Sequence, residues 1–302
     1  MFRDDVWYNE PVKKLSAHEW GAVALVFFTI VALVVPEPDK LSSVGVLFGA
    51  VTFVFATMSG FFLTRLNHRF DTVRNEISAE DADFLSLYYY SKVIGGKVHE
   101  HVRKTIDDYY LTVFEYSISR YHLPTRDEYQ ALYDIFRIKG EDEDNSRLRA
   151  VYENVASLLT DIERHRNVIA RAGEERLTAS MWLIVIILAL MVIFSIFLLR
   201  DSTFFFDLAA VLLSTTVIVI VALMHDLERF RLGGVPLAAE SGYEMFEALG
   251  LPRYVPEDKL KSGKIKIPKG IAQVRVGRVD PETGERILET IDVASLPPEL
   301  RK

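Results

Sequence analysis

The sequence predicts an all-α integral membrane protein with four transmembrane helices in two hairpins, a helical cytoplasmic bundle continuous with the spans, and a small C-terminal β-hairpin. Two observations carry this. Four apolar runs, at residues 20–35, 44–63, 181–199 and 204–224, each approach the roughly 20 residues that cross a hydrocarbon core of about 30 Å. The runs form two tight pairs, separated by a long, largely polar segment at residues 64–180. A bilayer offers backbone amides no water, so each run must satisfy its own hydrogen bonds as a helix. The first run needs Ala17 to Glu19 to reach full length, which sets His18 and Glu19 at headgroup depth beside Trp20, an interfacial anchor.

The 302 residues are 50% hydrophobic and 25% charged, an average over an apolar part and a heavily charged part that describes neither. A formal charge of -7 leaves no basic footprint for nucleic acid. With no cysteine in the chain, disulfides, thiol catalysis and cysteine-ligated metal are excluded. Met1 to Leu15 carries Arg3, Lys13 and Lys14 and runs into the first span without a small-residue cleavage site, so that span is expected to stay in the mature protein.

Basic residues set the expected orientation. The connections Pro36–Ser43 and Arg200–Thr203 offer only Lys40 and Arg200, whereas Lys13, Lys14, Arg65, Arg69, Arg74, Arg171, Arg176, Arg229 and Arg231 flank the other ends. By the positive-inside rule both termini and the middle segment are cytoplasmic, in a multi-pass protein of the cell inner membrane.

From Phe70 the apolar positions Val73, Ile77, Phe84, Leu85 and Tyr88 keep helical spacing, so the second span is expected to continue as a helix until Gly95-Gly96. Val98, Val102, Ile106, Tyr109, Val113 and Phe114 mark a second helix closed by Pro124, and a short one follows around Tyr129 to Ile138. After Gly140 the acidic run Glu141–Asp144 opens a long helix with Leu148, Val151, Val155, Leu158, Ile162 and Ile169 on its apolar face. Tyr88-Tyr89-Tyr90 and Tyr109-Tyr110 are read as interhelical packing with hydroxyls at the bundle edge, a ligand-binding aromatic box being the alternative. His99 and His101 point to different helix faces, and His165 sits between Arg164 and Arg166, so no metal site is expected.

Beyond the last span, Leu227 to Gly250 reads as a loop with a turn at Gly233-Gly234 and Pro236, then a short amphipathic helix. Lys259, Lys261, Lys264, Lys266 and Lys269 form a basic stretch, either a solvated linker or a contact with anionic headgroups. Ile271–Val279 and Glu285–Val293 around Asp280-Pro281-Glu282-Thr283-Gly284 predict the hairpin. The expected divisions are 1–66 (arm and first hairpin), 67–178 (cytoplasmic bundle), 179–226 (second hairpin), 227–250 (post-span helix) and 251–302 (basic linker and β-hairpin tail).

No phosphate loop, zinc motif or nucleophile elbow is present, and no ionisable residue lies near the middle of a span, so neither an enzyme nor an ion-coupled transporter is expected. No cofactor is implied. Asp207, about one turn into the fourth span, is read as interfacial. The second span is chemically sorted. Gly45, Gly49, Thr52, Ala56, Ser59 and Gly60 make a small face, and Leu47, Val51, Phe55, Met58 and Phe62 a bulky one. Either the small face packs against a neighbouring span with the bulky face in lipid, or several copies surround an axis with Phe55, Met58 and Phe62 as an apolar neck.

The second-span exit, Phe61-Phe62-Leu63-Thr64-Arg65-Leu66-Asn67-His68-Arg69-Phe70-Asp71, and the last-span exit, Asp226-Leu227-Glu228-Arg229-Phe230-Arg231-Leu232-Gly233-Gly234-Val235-Pro236-Leu237, resemble those of the bestrophins, specifically bacterial bestrophin-like membrane proteins. The resemblance covers residues 20–250 and omits the tail. It implies a pentamer in the lipid bilayer whose second span lines a path for monovalent ions, anions or cations. The Arg-Phe-Pro motif of animal bestrophins and the acidic run that binds their calcium are missing, which speaks against calcium activation. The expected function is therefore an oligomeric ion channel or pore. The alternative is a non-conducting membrane scaffold or sensor that binds a partner through its cytoplasmic helices and tail.

Overall fold

A computed structural model of the chain describes residues 16–34, 44–115, 121–140, 146–200, 203–232, 235–236, 238–261, 267, 270–280, 286–297 and 300. Its elements, in order, are α1 (Ala17–Val34), α2 (Val44–Ile94), α3 (Gly96–Glu115), α4 (Arg126–Gly140), α5 (Ser146–Glu174), α6 (Ala179–Leu198), α7 (Phe204–Glu228), β1 (Arg231–Leu232), β2 (Val235–Pro236), α8 (Ala238–Ala248), β3 (Arg253–Pro256), α9 (Glu257–Lys261), β4 (Gln273–Val279) and β5 (Arg286–Asp292). Four of them, α1, α2, α6 and α7, are long and apolar enough to cross a membrane. Several expected features lie outside the described residues: the N-terminal arm with Arg3, Lys13 and Lys14, the Lys40 connection, the Glu141–Asp144 run, Gly233-Gly234, Lys264, Lys266 and Lys269, and Pro281 to Glu285.

The chain divides into two compact units. One is formed by Val12–Thr72 with Glu175–Pro236, and the other holds Val73–Glu174 with Leu237–Lys302. In the first, α1 lies along α7 through Ala24, Phe28 and Val211, with Ala32, Ile193, Phe197 and Ile218 packed around them. Gly21 makes the close approach possible, since a Cβ there would sit 2.8 Å from Val219 Cγ2. The buried positions of α6, Val185, Ala189, Val192 and Ile196, follow helical spacing, and its lipid-ward residues such as Leu183, Leu190 and Phe194 are exposed.

α2 is a single helix of 51 residues. No proline or glycine interrupts it between Gly60 and its end, and Gly95 and Gly96 then take left-handed backbone (φ 75° and 53°) that ordinary side chains avoid. The second unit is built on its distal half. Phe84, Leu87 and Tyr88 of α2 are buried, as are Val98, Val102, Ile106, Tyr109 and Phe114 of α3 and Val155, Leu159, Ile162 and Ile169 of α5. These are periodic positions the sequence marks, except that Leu87 and Leu159 take the places expected of Leu85 and Leu158. The ring of Phe84 lies 4.6 Å from that of Tyr109.

The tyrosine hydroxyls correct one expectation. Those of Tyr109 and Tyr110 are not at the bundle edge but buried, donating to Glu80 and Asp81 on α2. His165 keeps its chain neighbour, with Arg164 Nη2 3.1 Å from its Nε2, and also meets two carboxylates of α2: Nδ1 meets Glu76 and Nε2 lies 3.4 Å from Asp83.

The tail is more than the expected hairpin. β4 and β5 pair antiparallel with Gln273 opposite Asp292 and Val279 opposite Arg286, and β3 adds a parallel third strand with Arg253 opposite Val274. Four residues of strand give too little periodicity to read in advance. Val255, Leu260, Ile267, Val274, Val276 and Val293 make its core. The sheet is held to α3 by charge and aromatic contact: Arg275 bonds Asp107 at 2.7 Å, Arg286 bonds Glu115 at 2.7 Å, and Tyr254 donates to Glu115 at 3.1 Å. Helix α8 joins them through Phe246, whose ring stacks on Phe114 at 5.6 Å.

Gly242 sets that last contact, because a Cβ there would meet Phe114 Cε2 at 2.4 Å and Cζ at 2.9 Å, within a cluster of rings that leaves the Phe no room. Gly242→Val is expected to destabilise the protein by about 2 kcal/mol through overpacking, read as a lowered unfolding midpoint in detergent, whereas Glu244→Ala on the exposed face of the same helix leaves the midpoint unchanged.

Candidate functional site

The second span sorts its faces in a way the sequence alone leaves open. Val51, Phe55, Ser59, Phe62 and Leu66 recur at three- and four-residue intervals and are all buried within the chain. Of the three residues expected at a neck, Phe55 and Phe62 are 4% and 5% exposed, while Met58 is 38% exposed. The face left bare carries Phe53 and Phe61, 72% and 62% exposed, with Thr57 between them. Among the expected small-face residues, Gly45, Gly49, Ala56 and Gly60 are exposed, Thr52 is half-buried and Ser59 is buried. A Cβ built on Gly45, Gly49 or Gly60 meets nothing within 4 Å. The chain thus uses the bulky face for its own packing and keeps the small residues, with two outlying phenylalanines, for something outside it.

The hydroxyls on the bare face make no demand on a partner. Thr57 Oγ1 donates to the Phe53 carbonyl at 2.8 Å and Thr64 Oγ1 to that of Gly60 at 2.9 Å, so both threonines are satisfied by their own helix.

At one end of the spans a group of charged side chains ties the helices together. The Asp226 carboxylate, in the last turn of α7, accepts the backbone N–H of Ala17 at 2.8 Å. That amide opens α1, and its free donors and helix dipole favour an anion. Ser16 adds to the cap: its N–H and hydroxyl both donate to the Glu19 carboxylate, at 2.8 and 3.0 Å, which is the carboxylate half of a capping box. Two residues on, Glu228 accepts the Leu177 N–H at 2.9 Å and the Trp182 indole N–H at 3.2 and 3.1 Å, which fixes the start of α6.

Arg69 closes the group from α2. It donates to the Glu228 carbonyl at 3.0 Å and lies over the Phe230 ring at 4.2 Å. Phe230 holds this position with φ 53°, a left-handed backbone that costs a bulky residue of order 1 kcal/mol or more and persists only where its surroundings enforce it. Burial pulls the Arg69 guanidinium down from 12.5 to about 10, with Glu228 opposing, so it stays charged at neutral pH. The quoted exit segments supply Arg69, Asp226, Glu228 and Phe230, but their partners, the Ala17 amide that opens α1 and the Leu177 amide and Trp182 indole at the approach to α6, cannot be read from them.

At the other end Arg200 bonds Asp207 at 2.8 Å and donates to the Ala32 carbonyl, where an uncompensated helix C-terminus favours a cation. Asp207 lies in the first turn of α7. Among the described residues, no group of three or more His, Cys, Asp or Glu is placed to hold a metal ion.

Residues 20–230 match the Bestrophin-like domain, and the chain belongs to the bestrophin-like family of membrane proteins. The fold agrees with solved structures at low sequence identity. One of a membrane protein aligns with TM-score 0.57 at 15% identity, over 77% of this chain and 98% of that one. Two of a bacterial bestrophin homologue from Klebsiella pneumoniae, each with a single substitution, align at 15% identity: one with TM-score 0.55 over 76% of this chain and 98% of that one, the other with TM-score 0.53 over 78% and 96%. No curated protein matches the chain.

Removing the charge that caps α1 separates structural from incidental contacts. Asp226→Asn is expected to destabilise the protein by about 1 kcal/mol, and Asp226→Ala by about 2, measured as unfolding midpoints in detergent. Glu153→Gln, on the exposed face of α5 and outside this group, leaves the midpoint within error.

Proposed function

We propose that the chain is one subunit of an oligomeric ion channel of the cell inner membrane, a pentamer by family resemblance, with two transmembrane hairpins, both termini cytoplasmic and monovalent ions as cargo. The observation that carries this reading is the bare face of α2. A helix that buries one stripe throughout the span yet exposes Phe53 and Phe61 together with Gly45, Gly49 and Gly60 has a face built for contact outside its own chain. In a ring of subunits that face can turn toward a shared axis, and apolar side chains there form a constriction that gates by dewetting.

The neck proposed on this basis differs from the one expected from periodicity. Phe55 and Phe62 are occupied inside the subunit, so the residues available to an axis are Phe53, Thr57 and Phe61, with Met58 at the margin. The small residues Gly45, Gly49, Ala56 and Gly60 flank this line and let neighbouring copies approach closely. The neck carries no charge, so ion choice has to come from elsewhere along the path.

Reconstituted in liposomes, Phe53→Ala and Phe61→Ala are expected to raise ion flux by widening the constriction, without loss of stability. Phe55→Ala and Phe62→Ala are expected to cost about 3 kcal/mol each as cavity mutations. A protein that is monomeric in mild detergent and passes no ions contradicts the proposal. Higher flux from the Phe55 and Phe62 variants alone would return the neck to the bulky face.

A further inference from the structure

One carboxyl in the second unit has no place in the channel argument. Glu80, on α2, is 4% exposed and, among the described residues, has no ion-pair partner in direct contact. Its two oxygens accept the hydroxyls of Tyr109, on α3, and Tyr121, in the turn before α4, the latter at 2.7 Å. Arg166 of α5 closes the far side, but it spends its bonds elsewhere: Nη2 donates to the His122 carbonyl and to Thr125 Oγ1, both at 2.9 Å. Its guanidinium lies over the Tyr129 ring at 4.4 Å and the Tyr109 ring at 5.4 Å. Four segments of the unit therefore converge on a single carboxyl.

We propose that Glu80 is a proton-operated latch, whose neutral carboxyl holds α2, α3, the Tyr121 turn and α5 together and whose ionisation loosens them.

The physical cause is the burial of a charge without a direct counter-ion, which costs far more than burial of the neutral acid. Desolvation pushes the carboxyl up from 4.5 to about 7; the Tyr109 and Tyr121 hydroxyls and Arg166 hold it back, and the neighbouring Asp81 adds to the rise. The folded protein therefore binds this proton more tightly than the unfolded chain. Stability from the latch is complete below about pH 4.5 and is lost as pH rises through about 7. The other groups around it are accounted for. Burial drives the Tyr109, Tyr110 and Tyr121 hydroxyls well above their ordinary range, so they stay protonated; the neutral acid therefore donates its own proton toward the Tyr109 oxygen, whose hydroxyl turns to Thr125 Oγ1. Burial and Arg166 lower His122 below its ordinary range. Asp81 is bonded to Tyr110, and one turn away His165 is engaged with Glu76 and Asp83.

The latch stands apart from the channel reading; only its effect on flux rests on that reading, since α2 carries both Glu80 and the proposed neck. The test uses the full chain in lipid, with infrared detection of protonated carboxyl groups across pH and hydrogen exchange of the α3 amides. Wild type is expected to show a protonated-carboxyl band that persists to about neutral pH, and an α3 opening constant that rises by about tenfold per pH unit between about pH 5 and 7. Glu80→Gln, near-isosteric, should lack the band and show no such rise. Tyr121→Phe, which removes one donor to the anion, should shift the loss of the band to higher pH, and carries the test alone if the glutamine variant fails to fold. A band already gone by about pH 5, or one unchanged in Glu80→Gln, overturns the latch. Absence of ion flux at every pH, with the band behaving as expected, contradicts the channel and leaves the latch intact.

Discussion

Two carboxylates at the end of the last span, Asp226 and Glu228, hold the arrangement of the membrane unit. Each occupies backbone or indole N–H groups that would otherwise have no partner, Asp226 at the first turn of α1 and Glu228 at the start of α6. Arg69 from α2 then bonds the Glu228 carbonyl, so the starts of two spans and the exit of a third are referred to the exit of the fourth. In hydrocarbon, helices gain little from burying apolar surface against one another. Directional bonds to orphan amides are therefore a large part of what selects one packing over others, and the strained backbone of Phe230 is tolerated because Arg69 and Phe70 both pack on its ring.

The orientation of α2 follows from that anchoring. With Arg69 and Phe70 turned into the unit, the residues one, two and more turns earlier on the same stripe, Leu66, Phe62, Ser59, Phe55 and Val51, must turn inward as well. Phe53, Thr57 and Phe61 then face away, and no choice of rotamer brings them back. The outward face of the helix, the one proposed for the neck, is in this sense set by contacts near residue 69, several turns away.

Much of this was legible in the sequence. Apolar run lengths locate the four helices long and apolar enough to cross a membrane, Gly95-Gly96 marks the end of α2, and helical spacing identifies Val98, Val102, Ile106 and Tyr109 as core. What escaped has physical reasons. Periodicity distinguishes the faces of a helix in lipid but not which one is inside, because bulky and small residues both suit either environment; hence spacing leaves open whether Phe55, Met58 and Phe62 line a neck, and in the structure Phe55 and Phe62 are buried within the chain. Contacts between helices are also not written in the chain. His165 keeps Arg164 beside it but gains Glu76 and Asp83 from α2, and Glu80 reads as one more polar position on a charged helix until α3 and Tyr121 close over it. Strand β3 was too short to show a pattern.

The absence of native cysteine makes the direct test of the α2 assignment clean. Single cysteines at Thr57 and at Phe55 would be treated with a water-soluble thiol reagent while ion flux through reconstituted protein is followed. Modification of Thr57→Cys is expected to block flux, and Phe55→Cys to remain unmodified and conducting. Block at Phe55→Cys with none at Thr57→Cys would contradict the proposed pore face.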